Sequence, residues 1–182
     1  MEYDTRAIEE RLRFIRDNVA QLRSRRNISF AQYQDDIVLR GFIEHSFHNT
    51  IEACLDVGKA IIREEGLRHP KDNADVFRVL CEEGIVPVKF LARLIDLARF
   101  RNVLVHEYAD IEPATVYGKF KRRLGDFDHY VNLIQIYLKR VQEEKAELPE
   151  PKIRDATSGE GKQARERRAT YTVRRKRKPR SH

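Results

Sequence analysis

Apolar side chains recur at intervals of three and four residues from Ile8 to Val141, and this spacing constrains the fold more than any other feature. Residues spaced in this way lie on one face of a helix. No segment alternates with a period of two over a useful length, so the sequence predicts no sheet. It predicts an all-α fold, an antiparallel bundle of about five helices, three long and two shorter, joined by short loops.

Capping and helix-breaking residues mark the expected helix ends. Ser29, with Gln32 three residues later, forms a capping box. Gly84 ends a short helix, and Pro113 suits the first turn of the last one. The first helix carries a shorter apolar series of Ile8, Leu12, Ile15, Val19 and Leu22. The last helix carries the longest apolar series, which comprises Val116, Phe120, Leu124, Phe127, Val131, Ile134, Leu138 and Val141.

The positive charge of the chain is concentrated at one end. The net charge is +7, but residues 149–182 hold 12 of the 36 basic and 4 of the 29 acidic residues, which leaves 24 and 25 for residues 1–148. The composition changes at residues 148–151, beyond which apolar residues are few. We therefore expect a near-neutral helical domain at 1–148 and a basic, disordered tail at 149–182.

Cysteine usage and hydropathy indicate a cytosolic protein that does not span a membrane. Cys54 and Cys81 both lie in apolar helical patterns, which favours two buried, reduced thiols over a disulfide or a metal site. No run of eighteen apolar residues is present, so no membrane-spanning helix is expected. The polar segment from Met1 to Arg6 does not have the pattern of a signal peptide.

The segment RNVLVHEY, residues 101–108, is the candidate functional motif. Its polar residues can bind a phosphate, move a proton and offer a phenol for modification. Alternatively, Arg101 is a surface cation at a helix end, and the aliphatic residues belong to the core. Residues five apart lie about 140° apart around a helix, so Arg101 and His106 would not converge within one regular helix. Either the helix ends inside the motif and a loop bends His106 back, or facing subunits of a symmetric dimer share the site.

This segment resembles the R-x4-H-x-Y signature of HEPN-domain ribonuclease toxins of the HepT type. The flanking segments are similar to that family in the same order: IEACLDVG at 51–58, Val79-Leu80 followed by Gly84-Ile85, and Asp110-Ile111 after the motif. The resemblance extends from about Ile8 to Leu138 and does not include the tail.

The resemblance implies the toxin of a type VII toxin–antitoxin system, a homodimeric endoribonuclease that needs no metal and no cofactor and leaves 2′,3′-cyclic phosphate ends. Arg101 would stabilise charge on the phosphate and His106 would transfer a proton. Asn102 would hydrogen-bond the phosphate or hold the imidazole. Tyr108 would be the residue adenylylated by a cognate MntA-type nucleotidyltransferase antitoxin, which adds bulk and negative charge to a site for RNA.

A second polar cluster, Glu44, His45 and His48, lies on the expected second long helix. Glu44 and His48 share a helix face and could hold a metal, but no third ligand is evident. We favour a supporting role for Glu44 in the catalytic cleft, because family members carry an acid at the corresponding place. Their basic neighbour is replaced here by His45.

The tail contains a dense run of cations, which we expect to bind RNA phosphates without base specificity. Alternatively, the tail is a charged segment that only keeps the protein soluble. The run comprises Arg174, Arg175, Lys176, Arg177, Lys178 and Arg180. The competing class of function for the whole chain is a non-catalytic helical protein that binds RNA or acts as an adaptor. No phosphate loop or metal triad supports a third class, an enzyme that acts on nucleotides.

Overall fold

The structure is a computed structural model and describes residues 5–106 and 112–146. Within these ranges it contains helices and no strand, which confirms the all-α prediction. Six helices follow one another along the described chain: α1 (Thr5–Ser24), α2 (Phe30–Asp35), α3 (Ile37–Glu64), α4 (Asn73–Glu82), α5 (Val88–His106) and α6 (Pro113–Ala146).

The sequence predicted one long helix after Ser29, whereas the structure divides it into the six-residue α2 and the longer α3. The predicted capping box at its start is confirmed, because the Ser29 side chain accepts from the Gln32 backbone while the Gln32 side chain accepts from the Ser29 backbone. Asp36 then interrupts the helix with an extended backbone. Its carboxylate accepts from the backbone N–H groups of Val38 and Leu39 and so caps α3. A good N-cap inside an otherwise continuous pattern therefore divides one expected helix into two.

The apolar series predicted for the first and last helices form the core. All five residues of the α1 series and all eight of the α6 series are buried. Helices α3 and α4 approach closely at Gly58, where an added Cβ would lie only 2.5 Å from a Val76 methyl carbon. Of the two cysteines, Cys54 is buried, as expected, whereas Cys81 is only partly buried.

The connection between α3 and α4 is fastened by an arginine. Arg68 donates to both carboxylate oxygens of Asp75, at 2.7 and 3.0 Å, and to both of Glu82, at 2.8 Å each. We call these three residues the Arg68 clamp. Asp75 is buried and also accepts from the Lys71 backbone. Arg68 and this N–H hold the pKa of the Asp75 carboxyl well below its usual range.

The compact unit that contains these helices extends to Val141. The expected boundary at residue 148 and the tail at 149–182 lie outside the described residues. None of the described helices is both long enough and apolar enough to cross a membrane.

Candidate active site on helices α3 and α5

Aromatic packing in the core fixes the positions from which α3 and α5 present their polar residues. Phe47 of α3 meets Phe100 of α5 edge to face, with ring centroids 5.9 Å apart, and also meets Phe127 of α6 at 5.3 Å. The residues that follow the first two rings are His48 and Arg101. Burial of the rings thus sets the register in which these polar residues emerge on adjoining helices.

Helix α5 continues through the candidate motif as far as His106. Leu104 is buried, and Val103 packs against the core. Asn102 is exposed, and Arg101 is partly buried. The helix therefore does not end between Arg101 and His106, and regular geometry separates these two positions by about 140° around the axis.

Arg101 is held by a single carboxylate. Its Nε donates to Oε2 of Glu52 across 2.5 Å. Both side chains remain partly accessible, 23% exposed for Arg101 and 31% for Glu52. Among the described residues this is the only hydrogen-bond partner of the guanidinium, so Nη1 and Nη2 are left to bind a ligand. A guanidinium in this state can fork onto two oxygens of a phosphate.

His48 lies on α3 one turn before Glu52 and is half-buried. Its Nδ1 is buried and has no hydrogen-bond partner among the described residues. Burial lowers the pKa of His48, and so do the positive charge of Arg101 and the neighbouring His45, while Glu52 opposes them. The imidazole beside Arg101 is therefore neutral at neutral pH.

Glu44 is engaged with residues other than the motif. Its carboxylate accepts from the Tyr33 hydroxyl at 2.8 Å and lies 3.9 Å from Nε of Arg40. Burial and this hydrogen bond raise the pKa of Tyr33, which keeps its phenol protonated as the donor. Glu44 lies two turns, about 12 Å along α3, before Glu52. Its expected support of the catalytic cleft stays a prediction.

His45 is exposed, and its Nε2 lies 2.9 Å from the Asn49 side-chain amide. Over the ranges 5–106 and 112–146, no three histidine, cysteine, aspartate or glutamate residues gather closely enough to hold a metal ion. Glu44 and His45 thus hydrogen-bond residues other than Arg101, whereas the charge of Arg101 acts on His48.

A cleft of about 350 Å³ opens at the start of α6, lined by Ala114, Thr115, Lys119, Arg122 and Arg123. Two of its cations are already paired: Lys119 lies 2.7 Å and Arg123 3.0 Å from Asp96 of α5. Arg123 also pairs with the buried Asp126. These ion pairs reduce the positive charge that the cleft offers to a ligand.

Several predicted site residues cannot be placed. The side chain of His106, the whole of Tyr108 and the tail cations from Arg174 to Arg180 lie outside the described residues. Glu52 was not predicted to have a role, although it falls in the family-like segment 51–58. Glu44, His48 and Glu52 follow one another at intervals of four along α3, and this spacing is the signal that could have identified it.

The fold is shared with solved helical toxins. It matches the tri-AMPylated HEPN toxin of Shewanella oneidensis, solved in complex with an MNT antitoxin, with a TM-score of 0.65 and 21% identity over 71% of this chain and 96% of that one. It also matches YutE from Bacillus subtilis, a cytosolic protein of unknown function, with a TM-score of 0.69 and 23% identity over 78% and 95%. At these identities the likeness shows the fold alone.

The sequence profile described as Ribonuclease HepT-like matches residues 15–134, so the chain belongs to the HepT-like ribonuclease family. The mRNA nuclease HepT of Shewanella oneidensis is 24% identical over 105 residues, which cover 58% of this chain and 79% of that protein. The tRNA nuclease HepT of Aphanizomenon flos-aquae is 27% identical over 137 residues, which cover 75% and 93%.

Proposed function

We propose that this chain is the toxin of a type VII toxin–antitoxin pair and that it acts in the cytoplasm as a metal-independent endoribonuclease. The observation that carries the proposal is the state of Arg101. Within a motif of the family's R-x4-H-x-Y form, it is held through Nε by Glu52 and keeps two terminal nitrogens for a ligand. RNA phosphate is the ligand that this geometry and the named relatives favour.

Arg101 stabilises the charge that develops on the phosphorus when the ribose 2′-oxygen attacks it. His106 transfers a proton in the same step, since imidazole titrates near neutral pH. The exposed Asn102 supports either the phosphate or the imidazole. The products are a 2′,3′-cyclic phosphate and a 5′-hydroxyl, and no cofactor takes part.

The active form in this proposal is a homodimer. The sequence left two arrangements open, and the continuation of α5 through His106 favours the one in which facing subunits complete the site. A test mixes an Arg101→Ala chain with a His106→Ala chain. Recovery of cleavage in the mixed dimer supports a shared site. If the mixture of the two inactive variants stays inactive, the shared site is contradicted.

The partner in this proposal is an MntA-type nucleotidyltransferase antitoxin that adenylylates Tyr108. Solved relatives of this fold are AMPylated or bound to such antitoxins. Tyr108→Phe keeps the ring but removes the oxygen that receives AMP. This variant should keep its nuclease activity and escape neutralisation, and full silencing of it by AMP transfer would place the modified residue elsewhere.

The basic run from Arg174 to Arg180 acts, in this proposal, as an arm that binds RNA phosphates. Truncation after Leu148 should weaken RNA binding, and the loss should shrink at high salt because the release of counterions then contributes less free energy. If the truncated and the full-length chain bound RNA equally well at low salt, the basic run would not act as an RNA-binding arm.

Growth provides the test of the toxin–antitoxin role. The intact chain expressed alone should arrest growth and degrade RNA, and co-expression of a cognate MntA-type nucleotidyltransferase should restore growth. A His106→Ala chain should be harmless in both settings. Growth arrest by His106→Ala equal to that of the parent would show that toxicity does not come from this chemistry.

A further inference from the structure

His48 is the one described residue with a buried side-chain nitrogen that lacks a hydrogen-bond partner. Buried polar atoms are nearly always paired, and an exception calls for a reason. The neighbouring His45 is satisfied by Asn49. His48 instead lies one turn from Glu52, beside the arginine that this glutamate holds.

Transesterification of RNA needs two proton transfers at the same phosphate. One group removes the proton of the 2′-hydroxyl, and another delivers a proton to the leaving 5′-oxygen. A single imidazole cannot do both in one step. If His106 performs one transfer, the site needs a second group, and His48 is a described imidazole on which the charge of Arg101 acts.

We propose that His48 is the general base of the site, and the assignment rests on the proposed ribonuclease function. The ring nitrogen that carries the lone pair takes the proton of the 2′-hydroxyl. The 2′-oxygen forms its bond to phosphorus, the bond from phosphorus to the 5′-oxygen breaks, and His106 supplies the proton to that oxygen. Water later returns both histidines to their starting protonation states.

The surroundings of His48 suit a base. Arg101 of α5 and His45 of its own helix disfavour the imidazolium, as burial does, and Glu52 opposes them only in part. The lowered pKa leaves the ring unprotonated at neutral pH, ready to accept a proton. Within the part of the chain that the structure describes, no group forms a hydrogen bond with Nδ1.

The test compares two substrates, an oligoribonucleotide and the same RNA with sulfur in place of one bridging 5′-oxygen. A 5′-thiolate leaves without a proton, so the sulfur substrate bypasses the acid but still needs the base. His48→Gln should lower kcat/KM on normal RNA by about 100-fold or more, the contribution of one such group. It should be equally impaired on the sulfur substrate, whereas His106→Ala should regain most of its rate there.

The pH profile gives a second readout. In the parent, kcat/KM should rise with pH as His48 loses its proton, and this acidic limb should be absent in His48→Gln. The matched control is His129→Gln, which removes an exposed histidine of α6 that contacts the Phe90 ring. It should cleave at the parent rate.

The assignment is overturned if His48→Gln cuts both substrates within about threefold of the parent, far less than a catalytic base contributes. It is overturned equally if the sulfur substrate rescues His48→Gln, which would make His48 the acid. Loss of folding in both His48→Gln and His48→Asn would make the residue structural. Failure of the parent and the His129→Gln control to cut any RNA would instead refute the proposed function itself.

Discussion

Arg68 and Arg101 use their guanidinium groups in opposite ways. Arg68 donates four hydrogen bonds to Asp75 and Glu82, so that both carboxylates are engaged in pairs and the α3–α4 connection is fastened. Arg101 donates through Nε to Glu52 alone. The guanidinium of the clamp donates four of its five N–H groups to its own chain, while that of the candidate site is oriented by one contact and keeps both terminal nitrogens for a ligand.

The difference supports a structural role for Arg68 and the proposed catalytic role for Arg101. Carboxylates that engage all three nitrogens of one guanidinium leave little of it for a ligand, whereas a single contact at Nε orients the fork and leaves its terminal nitrogens free. An oriented, unsaturated donor is what the stabilisation of a charged transition state requires.

The largest effect should come from removing the guanidinium group of Arg101. Arg101→Ala should lower RNA cleavage by about 1000-fold, as the loss of a transition-state donor does, with the thermal midpoint nearly unchanged. Arg101→Lys should stay strongly impaired because a lysine cannot fork onto two oxygens. Steady-state cleavage and thermal unfolding measure the two quantities.

Arg68→Ala is the matched control and should behave in the opposite way. It should lower the thermal midpoint and leave cleavage at temperatures well below that midpoint within about twofold of the parent, because it touches no reacting group. Equal loss of activity in Arg68→Ala and Arg101→Ala would remove the distinction.

The next effect concerns the residue that orients Arg101. Glu52→Ala should lower kcat by about 100-fold, the cost of a misplaced catalytic group. Glu52→Gln keeps an oxygen that can accept from Nε, so it should retain more activity than Glu52→Ala. If the two variants lost activity equally, the negative charge rather than the hydrogen bond would be the contribution of Glu52.

A smaller effect is expected in the pH dependence of stability, and it belongs to the clamp. The pKa of Asp75 is depressed in the folded chain, so its carboxylate stabilises the fold above its ordinary pKa of 3.8. This contribution fades as the pH falls below that value. Urea unfolding between pH 5 and pH 3 should show a shallower loss in Asp75→Asn than in the parent, and identical slopes would contradict the account.

The smallest effect is electrostatic and can be followed by NMR. Removal of the positive charge in Arg101→Ala should raise the pKa of His48 toward its ordinary value, because that charge disfavours the imidazolium. Arg68→Ala should leave the His48 titration unchanged. A lowered pKa in Arg101→Ala would show that another group controls the ring.

Sequence patterns predicted the core more fully than the site. The apolar series of α1 and α6 were identified residue by residue, since burial imposes a period that the sequence must carry. The break at Asp36 was missed, because local capping competes there with a continuous apolar pattern. Ion pairs between different helices impose no repeating pattern on the sequence. Glu52 and Arg101 are 49 positions apart, and only the packing of α3 against α5 brings them together.

The most direct measurement of the central claim is cleavage of a 5′-labelled RNA by the purified full chain in excess EDTA, with the ends of the fragments identified. The account predicts undiminished cleavage and 2′,3′-cyclic phosphate ends, because an imidazole-driven attack by the 2′-hydroxyl needs no metal ion. Cleavage that stops in EDTA and returns with a divalent cation, or fragments with 3′-hydroxyl ends, would contradict it.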